Sequence, residues 1–425
     1  MRINYKPSML HYGETIMIVR HLHCDSMLPE YSHIKFDVTS EKNITQTEHS
    51  PHYNQPSMVF FSGGSALAGF SQALKHYNQN HSHIITTLDS GGCTAKLRQC
   101  FLMPAIGDIR NRLLALADDS RVDVAAMTRI MALRFAKQGS PATLRQSLWA
   151  FSSSDHPMYA QLNSQQKVAI QSCLEYFAKV IPDDFDLRNT SIGNVCIAAA
   201  YLTNNRSLTA AIAQFSQLLA IKGQVVPMLD NYCHLAAHLT NGQIILGQHN
   251  LTGKEVSPIR SKIARVELSS SAEYLSPLVC ATPEHVKDTV KQARLICYPP
   301  GSFYSSLITN LLTQGIGKAI SQSKAKKVYV PNLQDDPEQI GMSLFDCITT
   351  LLNYLTSELS ENMPVTSVLN TVLIDKNAQN QLTPAQYQQL SELGIEVEIL
   401  PLVSQQSSPF YDPHRLSQAL LSLCR

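Results

Sequence analysis

The chain has 425 residues, 44 % of them hydrophobic and 16 % charged, and a formal net charge of +1. At ~150 residues per domain this allows up to three domains, or one large α/β domain with insertions. It excludes a disordered chain and a global basic field for nucleic acid.

Ten cysteines are present without a C-x-x-C pair, and most sit in apolar runs such as VCIAAAY around Cys196. They read as buried, reduced thiols. The N-terminus carries no secretory pattern. No apolar run reaches the ~18 residues of a membrane helix. The expectation is a cytoplasmic protein that engages no membrane and no nucleic acid.

Residues 1–56 form a polar extension holding six of the fifteen histidines. Thr15 to Val19 could be a strand, and HSPHYNQPS reads as a linker. His21, His23 and Cys24 could chelate a metal, but no second ligand cluster follows at a suitable spacing. Residues 57–425 read as one α/β domain. MVFF is a strand, SGGSA a turn and LAGFSQALKHY a helix; HIITTL is the next strand. GDIRNRLLALADD opens a helix near Asp108. Residues 121–180 keep helical spacing with few turn signals and form a helical insertion. Two more helices follow the loop at 182–192. Residues 224–250 read as a β-hairpin excursion turning at Asn241-Gly242. RLICY, KKVYVPN, TVLIDK and EVEILP are then strands alternating with helices. That alternation defines a doubly wound, mostly parallel sheet.

Five constellations carry chemistry, and four of them fall where strands end or helices begin, the favoured place for a phosphate. Gly63, Gly64 and Ser65 form a turn whose backbone N–H groups can meet an anion; a plain tight turn is the alternative. Asp89 with Gly91 and Gly92 can hold Mg²⁺ or a ligand hydroxyl, or merely cap a turn. Asp108 opens a helix whose first turn carries Arg110, Asn111 and Arg112. Those cations oppose the helix dipole and need an anion, either a bound phosphate or a nearby Asp. The loop 184–194 brings Arg188, Ser191, Gly193 and Asn194 to a helix N-terminus. Gly301, Ser302 and Tyr304 form a second phosphate-type turn, with Asn332 expected beside it. A G-x-G-x-x-G fingerprint is missing, which argues against a nicotinamide-dependent dehydrogenase.

Taken in order, SGGSA, LDSGG followed by LR, PAIGDIRNRLLALAD, DFDLRNTSIGN, PPGSFYSSL through GIGKAI and KVYVPN, and YDPHRL resemble the 2-phospho-L-lactate transferase and gluconeogenesis-factor (CofD-like, YvcK-like) family. The similarity covers most of residues 58–425 and is that of a divergent bacterial branch. The resemblance implies a modified Rossmann-like fold and a homodimer. In transferase members it implies Mg²⁺-dependent movement of a phospholactate group from a nucleoside-diphosphate donor. In gluconeogenesis-factor members it implies binding of a UDP-sugar. The family's metal-binding carboxylates correspond to Asp89 and Asp108. The second acid that usually follows the first is Ser90 here, the usual Gly-Gly-Thr-Gly is Gly63-Gly64-Ser65-Ala66, and a common His is Thr190.

Two readings result. In one, Asp89 and Asp108 hold Mg²⁺ on a diphosphate while Arg188 or Arg110 stabilises the departing charge. In the other, the same pocket binds a nucleotide or nucleotide-sugar without turnover, as a regulator of carbon or cell-wall metabolism.

Overall fold

The computed structural model describes residues 55–64, 66–153, 155–253 and 256–424. The expected strand at Thr15–Val19, the His21, His23 and Cys24 cluster and the Ser65 hydroxyl lie outside these residues.

The first half alternates as expected: β1 (Met58–Ser62), α1 (Ala68–Tyr77), β2 (His81–Ile85), α2 (Gly92–Phe101) and α3 (Gly107–Leu116). Three helices occupy the predicted insertion: α4 (Val122–Ala132), α5 (Pro141–Ser152) and α6 (Ser164–Val180). Local chemistry sets their starts. Ser140 caps α5 ahead of Pro141, and Asn163 with Gln166 forms a capping box on α6. They pack around α7 (Ile192–Thr203), whose residues from Ile192 to Tyr201 are all buried, and α8 (Leu208–Leu218).

The chain then adds β3 (Gln224–Pro227), β4 (His234–Leu239), β5 (Ile244–Leu246) and β6 (Ile263–Ser269). The reading of 224–250 as one hairpin needs correction. β3 belongs to the main sheet, parallel to β2. The hairpin is β4–β5, turning at Gly242 with φ +87°, and β6 completes an antiparallel sheet in the order β5-β4-β6.

The second half runs α9 (Glu284–Lys291), β7 (Leu295–Tyr298), α10 (Ile316–Gln322), β8 (Lys326–Tyr329), α11 (Leu344–Thr356), β9 (Thr371–Asp375), α12 (Pro384–Glu392), β10 (Glu396–Leu400) and α13 (Pro413–Ser422). The main sheet has seven parallel strands in the order β10-β9-β8-β7-β1-β2-β3. β1 is buried along its whole length, as a central parallel strand must be. Its side chains alternate between faces. Met58 and Phe60 join a core with Leu74 of α1 and Leu416 of α13, while Val59 and Phe61 join the core containing Val286 of α9 and Ile320 of α10.

This order fixes where a ligand can sit. From β1 the chain moves outward through β2 to β3, then returns to lay β7 against the other side of β1 and proceeds to β10. The connections leaving β1 and β7 therefore diverge and open a crevice at the strands' carboxyl ends, the topological switch point.

Candidate functional site

The cleft at this switch point is lined by the β1 turn (Ser62, Gly63, Gly64), the β7 turn (Pro299 to Ser302), Asp89, Gly91 and Asp108. The two turns touch: a Cβ on Gly63 would lie 2.5 Å from Ser306 Oγ, and one on Gly301 would lie 3.7 Å from Ala66 Cβ. The two turns thus line one cleft.

Arg112 organises the β1 turn from below. Its side chain is fully buried, and its Nη2 donates to Gly63 O at 2.9 Å and Gly64 O at 3.3 Å. Nη1 donates to Leu67 O at 3.0 Å and to the Ser71 hydroxyl. The anion that this arginine was expected to need is thus supplied by backbone carbonyls, with the charge of Asp108 nearby. Burial lowers its guanidinium to about 10, Asp108 opposing, so it stays charged at neutral pH. In a trans peptide the C=O and N–H point in opposite directions. With the carbonyl of Gly63 drawn inward, the N–H of Gly64 faces outward.

Arg98 acts similarly one turn away. It donates to Leu88 O at 3.2 Å, to Asp89 O at 3.0 Å and to Cys233 O, while its guanidinium lies 5.3 Å from the Tyr232 ring centroid. The Asp89 carboxylate accepts the Gly91 N–H at 3.1 Å. The cap position of α3 is Ile106, and Asp108 lies inside the first turn. It packs so closely on the β1 turn that a Cβ on Gly64 would stand 2.7 Å from its Cα. A Cβ on Gly107 would come within 3.2 Å of Asp89 Oδ2. Both carboxylates therefore converge on the α3 N-terminus. Among the described residues no group of three or more His, Cys, Asp or Glu could hold a metal. Two carboxylates suit Mg²⁺ when ligand phosphates and waters complete its octahedron.

The β7 turn corrects a second expectation. Its following segment is a π-helical turn, Phe303–Leu307, whose N–H groups are already engaged. Asp336 accepts from Phe303 N at 2.7 Å; Glu338 accepts from Tyr304 N at 2.9 Å and Ser305 N at 2.8 Å. Two carboxylates fill the place foreseen for a phosphate. Burial, then the charge of Asp336, raises the Glu338 carboxyl to about 7. Tyr304 is buried and donates to Ile263 O at 3.3 Å, outside the cleft. Asn332 pins Gly301 in both directions, at 2.8 and 2.7 Å, and lines a neighbouring cleft with Asp336. What this turn offers the site is Gly301, Ser302 and Ser306.

The remaining expected residues form a separate layer. Gly92 opens α2 with φ +51°. Arg110 is buried against Gly193, where a Cβ would come 2.8 Å from its Cδ; it donates to Asn111 Oδ1 at 2.7 Å. Its Nε and Nη1 have no hydrogen-bond partner. Ser191 caps α7, and Asn194 donates to Cys93 Sγ at 3.1 Å. Arg188 stands at the surface, paired at 2.8 Å with Asp186, which also binds Lys96. None of these lines the cleft.

Three lining residues went unforeseen: Gln248, His249 and Thr252, from the turn after β5. The only signal was a glycine, Gly247, ending an apolar strand ahead of a polar run.

The chain is a Rossmann-like α/β domain with a glycine turn and two converging carboxylates at its switch point. A family model, 2-phospho-L-lactate transferase CofD, matches residues 58–405, and the chain belongs to that family. A Thermotoga maritima relative is 29 % identical over 300 residues, covering 70 % of this chain and 75 % of its own. The gluconeogenesis factor of Bacillus subtilis is 25 % identical over 377 residues, covering 87 % and 99 %. A crystal structure of a UPF0052-family protein from Bacillus halodurans superimposes with a TM-score of 0.61 at 20 % identity, over 86 % of this chain and 99 % of that one. That likeness is one of fold.

Proposed function

We propose that the cleft binds a nucleoside diphosphate or a nucleoside-diphosphate-linked ligand, with Asp89 and Asp108 holding Mg²⁺ on its phosphates. One observation carries this reading: Arg112 draws the carbonyls of the β1 turn into the protein, which turns an amide edge toward the switch point. Bound Mg²⁺ would neutralise the diphosphate. The protein's own part is to orient it between the two turns. Arg188 and Arg110, the residues suited to stabilise departing charge, lie outside the cleft, and Arg188 is ion-paired to Asp186. That placement favours binding without group transfer, the reading of a regulatory protein. The nine described cysteines are free thiols, which supports a cytoplasmic setting. Among the described residues no helix is long and apolar enough to cross a membrane.

The test is calorimetry and thermal shift with UDP, GDP and a UDP-sugar, with and without Mg²⁺. Micromolar-class binding, strengthened by Mg²⁺, is expected, with a melting temperature that rises with ligand concentration. No response to any of these compounds would overturn the reading. Mass spectrometry of the ligand after long incubation with hydroxylated acceptors separates the alternatives: an unchanged ligand fits a regulator, a converted one a transferase.

A further inference from the structure

Ser90 and His249 are 159 positions apart in sequence and meet beside the cleft. Ser90 follows Asp89 in the loop after β2. His249 sits in the single turn Gln248–Asn250, and its side chain lines the cleft. Ser90 Oγ lies 2.8 Å from His249 Nδ1 and accepts the His249 backbone N–H at 3.2 Å. Gly247 makes the turn possible with φ +85°; a Cβ there would press on the imidazole at 3.0 Å and on Ser90 Oγ at 3.3 Å. The ring is therefore held by a side chain, by its own backbone and by the absence of a Cβ before it.

The hydroxyl's bonding favours one tautomer. Ser90 Oγ already accepts from the His249 backbone, and the only described acceptor for its own proton is Nδ1. A neutral imidazole that accepts at Nδ1 carries its hydrogen on Nε2. Ser90 occupies the position where the resemblance places a second carboxylate. A carboxylate repels phosphate and needs a cation between them. An imidazole N–H meets phosphate directly, as a charge-assisted hydrogen bond.

We propose that His249 is a direct ligand contact, its Nε2–H donating to an anionic oxygen of the bound diphosphate, and that Ser90 is the positioning residue that fixes its ring. The proposal rests on the diphosphate reading of the cleft. Its consequence is that part of the affinity for diphosphate survives without a divalent cation.

The experiment is calorimetry of the full chain with UDP and with pyrophosphate, in EDTA and in Mg²⁺. The proteins compared are the wild type, His249→Ala, Ser90→Ala and Ser90→Asp. Wild type binds UDP in EDTA, and His249→Ala weakens that binding about tenfold or more. Ser90→Ala weakens it by a smaller factor. Ser90→Asp leaves binding that depends on Mg²⁺. ¹⁵N-histidine NMR of the wild type gives a reading free of folding defects. The signal assigned through its loss in His249→Ala shows a protonated Nε2 that shifts on addition of UDP. Equal binding by wild type and His249→Ala in EDTA, or an Nε2 signal unmoved at UDP saturation, would overturn the proposal while the diphosphate reading stands. Binding of UDP to wild type only with Mg²⁺ would do the same. Failure of UDP and pyrophosphate to bind under either condition removes the diphosphate reading and this inference with it.

Discussion

The two glycine turns that meet at the cleft are held by opposite charges. Under the β1 turn lies a buried cation, Arg112, bonded to carbonyls; behind the β7 turn lie two carboxylates, Asp336 and Glu338, bonded to N–H groups. The first support engages carbonyls, while the second engages N–H groups. Similar turns at equivalent strand ends are thus not equivalent, and the groups already used inside the protein decide which polar edge each has left; on the function proposed above, the β1 turn is the one that meets the anion.

The comparison predicts opposite pH sensitivities, and the largest effect is on the β1 side. His81 and His83 of β2 are fully buried, lie near Arg112 and have no hydrogen-bond partner at either ring nitrogen. Burial, then the Arg112 charge, lowers His81 from 6.5 to about 3, and His83 falls in the same direction. The unfolded chain binds these protons first, so stability is intact above pH 6.5 and falls as pH drops toward 3. For His81 alone the loss is on the order of 5 kcal/mol across that window. Urea unfolding of wild type and His81→Leu from pH 7 to 4 should show the variant's relative stability rising as pH falls. A constant difference would break the comparison on this side.

Next in size is Arg112→Met. It strands the Gly63 and Gly64 carbonyls in the interior and removes one of the two cations beside Asp108. A loss of about 3–5 kcal/mol in urea unfolding is expected, together with loss of nucleotide binding. Arg112→Lys should recover only part of both, because an ammonium cannot span the fork.

The β7 side should respond in the reverse sense. The Glu338 pKa is raised from 4.5 to about 7, so the folded state holds the proton more tightly. Its contribution is complete below pH 4.5 and is lost as pH rises through 7, about 3 kcal/mol in all. Glu338→Gln can keep the bonds to Tyr304, Ser305 and the Ser305 hydroxyl without ionising. Relative to wild type it should gain stability between pH 5 and 8, read from melting temperatures. Between pH 4.5 and 6.5 the Glu338 slope offsets part of the histidine slope, and each variant should expose the other's.

The smallest effect is that of Asp108→Asn. Asn keeps the shape of Asp108 and removes its charge. In the structure Asp108 lies inside the first turn of α3, and its charge acts on Arg112 and Arg110. A loss of about 1–2 kcal/mol is therefore expected, with reduced Mg²⁺ enhancement of UDP binding by calorimetry. Unchanged Mg²⁺ enhancement would reject a metal role for Asp108.

These contrasts also mark where the sequence stops being legible. The parallel strands announce themselves as apolar runs ending in turns, because burial on both faces leaves no other composition. The β1 turn, Asp89 and Asp108 were readable for the same reason: their position relative to a strand end is local. The consumption of N–H groups at Phe303, Tyr304 and Ser305 by residues more than thirty positions away is not local, and neither is the Arg112 clamp. β6 escaped notice because Arg265 and Glu267 interrupt its apolar pattern, and they pair with each other at 3.0 Å. His249 reaches the cleft only because the antiparallel sheet folds back to Ser90.

The placement of β1 between β2 and β7 has a consequence for biosynthesis. β2 follows β1 within a few tens of residues, but Arg294, at the start of β7, bonds to Ser57 across 237 positions. A chain emerging from the ribosome must keep one edge of its central strand unpaired until most of its length is made, and closing so distant a contact is slow. The β1 turn and the β7 turn cannot meet before then. The cleft between them is therefore complete only after most of the chain has been synthesised.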